Sequence, residues 1–311
     1  MIFTLYDASG PVEAIHEDTA VTVGVFDGVH RGHQQLLVQL AALHTPLSTL
    51  TVTLTAHPSF VLGRKDSEYW LDDPQEHLSL LFEAGAKYVA VLPFTPEVAS
   101  MSACRMARLL HDRLRMRSLL LGYDSRFGSK QADDFDRLPQ LADELGFTIL
   151  HGKPFLVGDS PISSSRIRES LLQGAVEDTA ALLGRPYSVC GTVQHGRGVG
   201  RTLGFPTANV DLTQTRKMLP KEGVYAVKVL LNQSAPAYTA IANLGTAPTF
   251  GVEQPLLEVH LLDFWGDLYG QPVTVQFIHR LRDIVRFSTA EALQAQLHQD
   301  LLTAQTITRN Q

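Results

Sequence analysis

The stretch VTVGVFDGVHRGHQQLL, residues 21–37, decides how the first half of this chain must fold. The run AVTVGVF at 20–26 reads as a buried strand, and HQQLLVQLAALH at 33–44 spaces its apolar residues as an amphipathic helix does. The ten residues from Gly24 to His33 hold three glycines, Gly24, Gly28 and Gly32, and two histidines, His30 and His33. Strand, glycine turn and helix make one βα step of a parallel sheet, and ligands bind beyond the carboxyl ends of such strands. A helix N-terminus favours anions, and glycines let the backbone come close to a phosphate. His30 and His33, three apart, point the same way and can donate hydrogen bonds to phosphate oxygens. A plain glycine turn with two surface histidines is the alternative. A zinc site is another, although no further His/Cys cluster has ligand spacing.

Outward from this stretch the βα rhythm continues to about residue 155. STLTVTL (48–54), KYVAVL (87–92), SLLLG (118–122) and FTILH (147–151) read as strands. Helices are expected from Asp73-Pro74-Gln75-Glu76 to Gly85, over 102–115, and over 135–145 with Gly146 as the stop. ISSSRIRESLLQGAVEDTAALLGRP then gives two short helices around Gly174. From residue 187 the texture changes to short strands rich in Val, Ile and Thr: 187–193, 224–231, 238–244, 256–264 and 273–278. Their Gly, Pro, Asn and Asp separators suggest an antiparallel barrel or sandwich. A final helix is expected from Ser288, with Glu291 completing a capping box, to about Thr303. The fold class is therefore α/β in domain 1–184 and antiparallel β with a terminal helix in domain 185–311.

Bulk properties agree with a two-domain protein. The chain has 311 residues, 44% hydrophobic and 19% charged, with a formal charge of −6 that offers no grip on nucleic acid. Cys104 and Cys190 are too few for a disulfide framework, the start lacks a signal-peptide pattern, and no apolar run is long enough to span a bilayer. These features predict a cytoplasmic protein with neither nucleic-acid nor membrane partners. Oligomeric state is left open.

The second half carries HGRGVGRTLGFPTANV, residues 195–210. It contains no G-x-x-x-x-G-K-[ST], which excludes a P-loop. Gly196, Gly198, Gly200 and Gly204 still allow a backbone to wrap phosphates. Thr207 and Asn209, two apart in an extended segment, turn hard oxygen ligands to one side, a set suited to Mg²⁺ carrying ATP phosphates. Further on, Leu257-Glu258-Val259-His260-Leu261 alternates, so that Glu258 and His260 share the face opposite the leucines. A glycine hairpin and a solvated strand face are the plain alternatives.

These segments carry a resemblance. The pattern G-x-F-D-G-x-H-x-G-H, complete from Gly24 to His33, resembles the H-x-G-H signature of the nucleotidylyltransferase superfamily in its flavin adenylyltransferase form. Ile162-Ser163-Ser164-Ser165-Arg166-Ile167-Arg168 is similar to the superfamily's I-S-S-T-x-x-R. Hydroxyls at a helix start and a reaching guanidinium would there form a second phosphate grip. G-R-T-L-G-F-P-T-A-N (200–209), N-L-G-T-A-P-T-F (243–250) and L-E-V-H-L-L-D-F (257–264) together resemble riboflavin kinase. Over nearly its whole length the chain resembles the prokaryotic bifunctional riboflavin kinase/FAD synthetases.

The resemblance implies a Rossmann-like N-terminal domain that adenylates FMN to FAD with release of pyrophosphate. It implies a six-stranded barrel that phosphorylates riboflavin to FMN, both steps using ATP and Mg²⁺. Glu258 would be the base for a neutral ribityl hydroxyl, with Mg²⁺ held through Thr207 and Asn209. In the adenylyl step the FMN phosphate is already anionic, so His30, His33, Ser163, Ser164, Ser165 and Arg168 would position and stabilise charge. Phe26, Asp27, Asp124, Arg126, Arg201 and Pro206 would belong to the binding sites through their motifs. Departures fall in the N-terminal half. Gly122-Tyr123-Asp124-Ser125-Arg126-Phe127-Gly128 has Ser125 where an aromatic is usual and is followed by SKQADD without the family's glycine/arginine pattern. Thr55-Ala56-His57-Pro58 stands for D-P-H-P, and Ser165 for the motif's Thr. A kinase with a degenerate adenylyltransferase domain, or a non-catalytic flavin- or nucleotide-binding regulator, are the other functions compatible with these motifs.

Overall fold

The structure is a computed structural model that describes residues 1–4, 15–43, 46–54, 70–125, 127–129, 134–196, 200, 204–231, 236–249 and 252–309. Thr55-Ala56-His57-Pro58, Arg126, Gly198, Arg201 and the centre of SKQADD lie outside the described residues. The chain forms two compact units, Met1–Ser164 and Ser165–Gln311.

The first unit is a six-stranded sheet of β1 (Ile2–Thr4), β2 (Thr19–Gly24), β3 (Ser48–Leu54), β4 (Tyr88–Leu92), β5 (Met116–Leu121) and β6 (Thr148–His151). Every neighbouring pair is parallel and the order is β1-β4-β3-β2-β5-β6. Strands run from β2 through β3 to β4 on one side, and β5 and β6 lie on the other. The order therefore reverses between β2 and β5, and the opening stretch leaves the sheet at that switch point. Strand β1, at the edge, was not expected, because its three residues carry no periodic signal.

Burial on both faces explains the apolar strands. Val21, Val52, Leu119 and Leu121 pack under α4 (Ala103–Leu114) and α5 (Leu138–Leu145), counting from α1 (Arg31–Ala41), α2 (Pro74–Glu83) and α3 (Pro96–Ala99). Ala20, Val89 and Leu120 pack on the opposite face with Leu36, Leu37 and Leu40 of α1 and Leu81 of α2. Helix ends follow local chemistry. Pro74 opens α2 with the Glu76 carboxylate accepting from Asp73 N at 3.4 Å, Ser102 caps α4, and Gly146 closes α5 at φ +73°.

Within the 122–128 motif, Phe127 is buried in the core and Gly128 sits at φ +80°. A Cβ there would lie 2.4 Å from Ala103 N. Gly128→Ala is accordingly expected to destabilise the protein by about 2 kcal/mol or more, through left-handed backbone and overlap together. Urea unfolding measures this, and a loss below ~0.5 kcal/mol would contradict the packing described.

The second unit begins with α6 (Ser164–Gln173) and α7 (Val176–Leu183), separated by Gly174 at φ +77°. A small hairpin of β7 (Leu156–Val157) and β8 (Ser160–Pro161) precedes them in the chain. Helix α7 packs on β9 (Tyr187–Gln194) and β14 (Pro272–Arg282). For this reason the compact division falls at residue 164/165, about twenty residues before the change of texture at 184/185. With β10 (Ala208–Asp211), β11 (Gly223–Leu230), β12 (Tyr238–Thr249) and β13 (Val252–Leu261) the strands close an antiparallel barrel in the order β10-β13-β12-β11-β14-β9. Strand β10 is too short to have been expected from alternation alone. Helix α8 (Ala290–Arg309) lays Ala304, Leu297 and Leu301 on Ala226 and Ile241. Its first turn is capped by Thr289, whose Oγ1 accepts from Ala292 N at 3.2 Å, and not by Ser288 as expected. Asp300 anchors it by accepting from Arg282 at 2.7 Å.

Candidate functional site

Strand β2 ends two residues before the apolar run does, because Phe26 adopts φ +52°. Gly28 (φ +82°) and Val29 (φ +35°) follow, and Val29 N donates to Phe26 C=O at 2.8 Å. Two non-glycine residues in left-handed backbone within one turn is a costly arrangement of the kind that clusters at functional sites. The buried Phe26 ring folds back over Gly24, where a Cβ would come within 3.1 Å of it, and meets the His33 ring edge-on. Helix α1 starts at Arg31, earlier than its apolar periodicity announced, because His30 caps it. His30 Nδ1 accepts from His33 N at 3.3 Å. That bond needs the Nδ1 lone pair, so the ring carries its proton on Nε2.

The two rings stack with centroids 3.5 Å apart and 19° between planes. A Cβ on Gly32 would press within 3.1 Å of the His30 ring, so the close stack requires that glycine. Burial first, then the neighbouring His30 and His77, pushes the His33 imidazole well below the ordinary histidine range. A stacked imidazole pair at the head of a helix is suited to donating hydrogen bonds to an anion, and a neutral His33 is a poor proton carrier near neutral pH. The same shift has a consequence for stability. The unfolded chain binds a proton at this position below about pH 6.5 while the folded one does not. Stability is full above that pH and is lost as the pH falls through it, by up to about 1.4 kcal/mol per pH unit. His33→Asn removes the titration, so its urea stability is expected to fall less than the wild type's between pH 7 and 5. Parallel losses would contradict a neutral His33.

The remaining residues of the motif are held in place from behind. Asp27 is buried, its Oδ1 accepts from Leu71 N at 2.8 Å, and its C=O accepts from Ser164 Oγ at 3.0 Å. Gly28 N donates to Asp72 Oδ2 at 3.1 Å and is thus spent on the protein itself. Ser163 is half-buried and Ser165 exposed, and Arg168 is half-buried on α6, four residues past Ser164. Asp124 is exposed in the turn after β5, where Ser125 N donates to Gly122 C=O at 3.0 Å. Since β5 is the strand across the switch point, this turn opens on the same sheet edge as His30 and His33.

In the barrel, register does what sequence spacing could only suggest. Asn209 on β10 lies opposite Glu258 on β13, and Glu258 lies opposite Asn243 on β12. Leu257 and Val259 are buried, so all three polar residues share the other face. Asn243 Nδ2 donates to Glu258 Oε2 at 3.5 Å. The glycines close over this row. A Cβ on Gly196 would lie 2.0 Å from Asn209 Nδ2, and one on Gly200 would lie 2.3 Å from Phe205 C=O and 3.2 Å from Thr207 Oγ1. Gly204 is at φ +79°, and Pro206 C=O accepts from His260 Nδ1 at 2.7 Å. Thr207, Asn209 and Glu258 supply hydroxyl, amide and carboxylate oxygens under a glycine cradle, a donor set that fits Mg²⁺. Among the described residues no group of three or more His, Cys, Asp or Glu is arranged to hold a metal.

Sequence reasoning missed Asn243, although it opens the 243–250 motif, and the supports Asp72, His77 and Thr53. Only the Asp72-Asp73-Pro74 helix start hinted at them.

Comparison with known proteins covers both units. A family model described as FAD synthetase matches residues 12–166, and one described as riboflavin kinase matches 183–308. A protein of Escherichia coli K12 named bifunctional riboflavin kinase/FMN adenylyltransferase is 37% identical over 295 residues, covering 94% of this chain and 93% of its own. Namesakes from Haemophilus influenzae (36%, covering 92% of each chain) and Bacillus subtilis (33%, covering 93% of each) agree. A crystal structure titled macrolide-efflux protein from Streptococcus pneumoniae superimposes with a TM-score of 0.85 at 31% identity, over 96% of each chain. No helix among the described residues is long and apolar enough to cross a membrane.

Proposed function

The chain belongs to the family of bifunctional riboflavin kinase/FMN adenylyltransferases, and from that premise we propose which of its residues carry each reaction. The protein phosphorylates riboflavin to FMN and adenylates FMN to FAD, with ATP as the donor in both steps. Both family models match, so neither a kinase with a vestigial partner domain nor a non-catalytic regulator is the better description.

Residues 185–311 are assigned the kinase reaction and 1–184 the adenylyl transfer, which keeps the serine motif at the start of α6 with the histidines. In the kinase, the terminal ribityl hydroxyl of riboflavin attacks the γ-phosphorus of ATP and ADP leaves. Glu258 takes the hydroxyl proton, and Asn243 orients the carboxylate. Thr207 and Asn209 would hold Mg²⁺. When bound, Mg²⁺ supplies neutralisation of charge on the transferring phosphoryl group. Gly196, Gly200, Gly204 and Pro206 shape the nucleotide loop over them, and Gly198 and Arg201 are assigned to nucleotide binding by their motif.

In the adenylyl transfer, an oxygen of the FMN phosphate attacks the α-phosphorus of ATP and pyrophosphate departs. No proton has to be removed from the nucleophile. His30 and His33 donate to the phosphate oxygens as charge builds there, and Ser163, Ser165 and Arg168 grip the departing pyrophosphate. Gly24, Phe26, Asp27, Gly28, Gly32 and Ser164 hold the turn in shape. Asp124, from the turn after β5, and Arg126, by its motif, are assigned to flavin or nucleotide binding. A cytoplasmic location goes with this reading and with the unpaired Cys104 and Cys190.

The observation that carries the adenylyl assignment is the His30–His33 stack at the switch point of the sheet. The direct test incubates the protein with riboflavin, ATP and Mg²⁺ and separates the flavins by chromatography. FMN appears first and FAD follows. Accumulation of FMN with no FAD would overturn the N-terminal half of this reading.

A further inference from the structure

Behind the histidine turn lies a buried side-chain chain that neither reaction uses. Asp72 is 2% exposed, its Oδ2 accepts from Gly28 N at 3.1 Å and lies 3.0 Å from His77 Nδ1. His77 Nε2 in turn lies 2.8 Å from Thr53 Oγ1, which donates to Val25 C=O at 3.2 Å. Both ends of the segment Val25–Gly28 are therefore fastened to one relay running from β3 to the start of α2. Asp72 Oδ1 is buried with no hydrogen-bond partner among the described residues. Half-satisfying a buried carboxylate is a poor way to stabilise a fold. The non-glycine left-handed residues, Phe26 and Val29, flank the same contact. Strain and a carboxylate oxygen without a partner among the described residues thus meet at the turn that presents His30 and His33, a concentration that positioning explains and stability does not.

The geometry points to Asp72 and His77 as positioning residues of the adenylyl site: Asp72 holds the Gly28 amide, and His77 holds Thr53, whose hydroxyl donates to the Val25 carbonyl, so that together they fix the turn from which His30 and His33 reach the α-phosphate. The inference rests on the assignment of those histidines to FAD formation. Misplacement of such groups by about 1 Å costs on the order of 100-fold in rate. Neither residue has to touch a substrate.

The test measures steady-state FAD formation from FMN and ATP on the full chain, with FMN formation from riboflavin as the internal control. Asp72→Ala is expected to lower kcat for FAD by about 10- to 100-fold while the KM for ATP stays within about 3-fold. FMN formation should be unchanged. Asp72→Asn keeps an acceptor for Gly28 N and should restore kcat to within about 3-fold of wild type. Leu141→Ala, on the buried face of α5, is the destabilised comparison and should keep its kcat per folded molecule. If Asp72→Ala does not fold, His77→Ala carries the same expectations. The proposal is overturned if kcat in the alanine variant stays within about 3-fold of wild type, if the loss lies in KM alone, if Asn and Ala lose alike, or if Leu141→Ala loses as much. His30→Ala in the same assay separates the two levels. If it forms FAD normally, the site assignment fails; if it does not while Asp72→Ala does, only the positioning role fails.

Discussion

Glu258→Gln should stop FMN formation. The expected fall in riboflavin turnover is about 100- to 10,000-fold, the range a positioned general base contributes. The change is nearly isosteric, and the glutamine oxygen still accepts from Asn243 Nδ2, so strand register and the row Asn209–Glu258–Asn243 are kept. What goes is the carboxylate that can take the ribityl proton as the oxygen–phosphorus bond forms. Riboflavin affinity, followed by quenching of flavin fluorescence, should stay within about 3-fold, because a residue that acts only in the transition state leaves ground-state binding alone. FAD formation from added FMN should not change. Wild-type turnover in the variant would remove Glu258 from its role and leave proton transfer to water.

The second large effect is expected at the other end of the chain. His30→Ala should lower FAD formation by about 100- to 1,000-fold, the loss seen when one preorganised donor to a developing negative charge is removed. Three features of the turn concentrate the effect on this ring. Its Nδ1 is committed to the helix cap, its stacking partner His33 is held neutral by burial, and Gly32, which has no Cβ to press on the ring, leaves space for the close stack. Loss of the cap also costs about 1 kcal/mol of stability, so rates are to be compared at a temperature where both proteins are fully folded. FMN formation should be spared. An equal loss of both activities would mean that His30 holds up the fold and does not serve one reaction.

Much of this was legible in the residues themselves. Apolar runs at 20–26 and 48–54, helical spacing at 33–44 and glycine stops at 85 and 146 are local signals, and they placed the βα units to within a few residues. Alternation in Leu257-Glu258-Val259 put Glu258 on the face away from the barrel interior, and spacing put Thr207 and Asn209 on one side. The errors were local too. Phe26 looks like strand by composition but turns left-handed, and His30 caps a helix whose periodicity announces itself only at His33. Ser288 and Thr289 compete for one cap, and only the hydrogen bond to Ala292 N separates them.

The sequence by itself determined the two kinds of element and the segments to which phosphate handling is assigned, because side-chain period and backbone preference act over a few neighbours. Only the tertiary structure decided the strand order that makes the β2 turn a switch point, and the register that sets Glu258 between Asn209 and Asn243. It alone joined Gly28 to Asp72, 44 residues away, and Thr53 to His77, 24 away. Such contacts follow from which apolar faces are buried together and where buried polar groups must then find partners, and no local pattern encodes that solution.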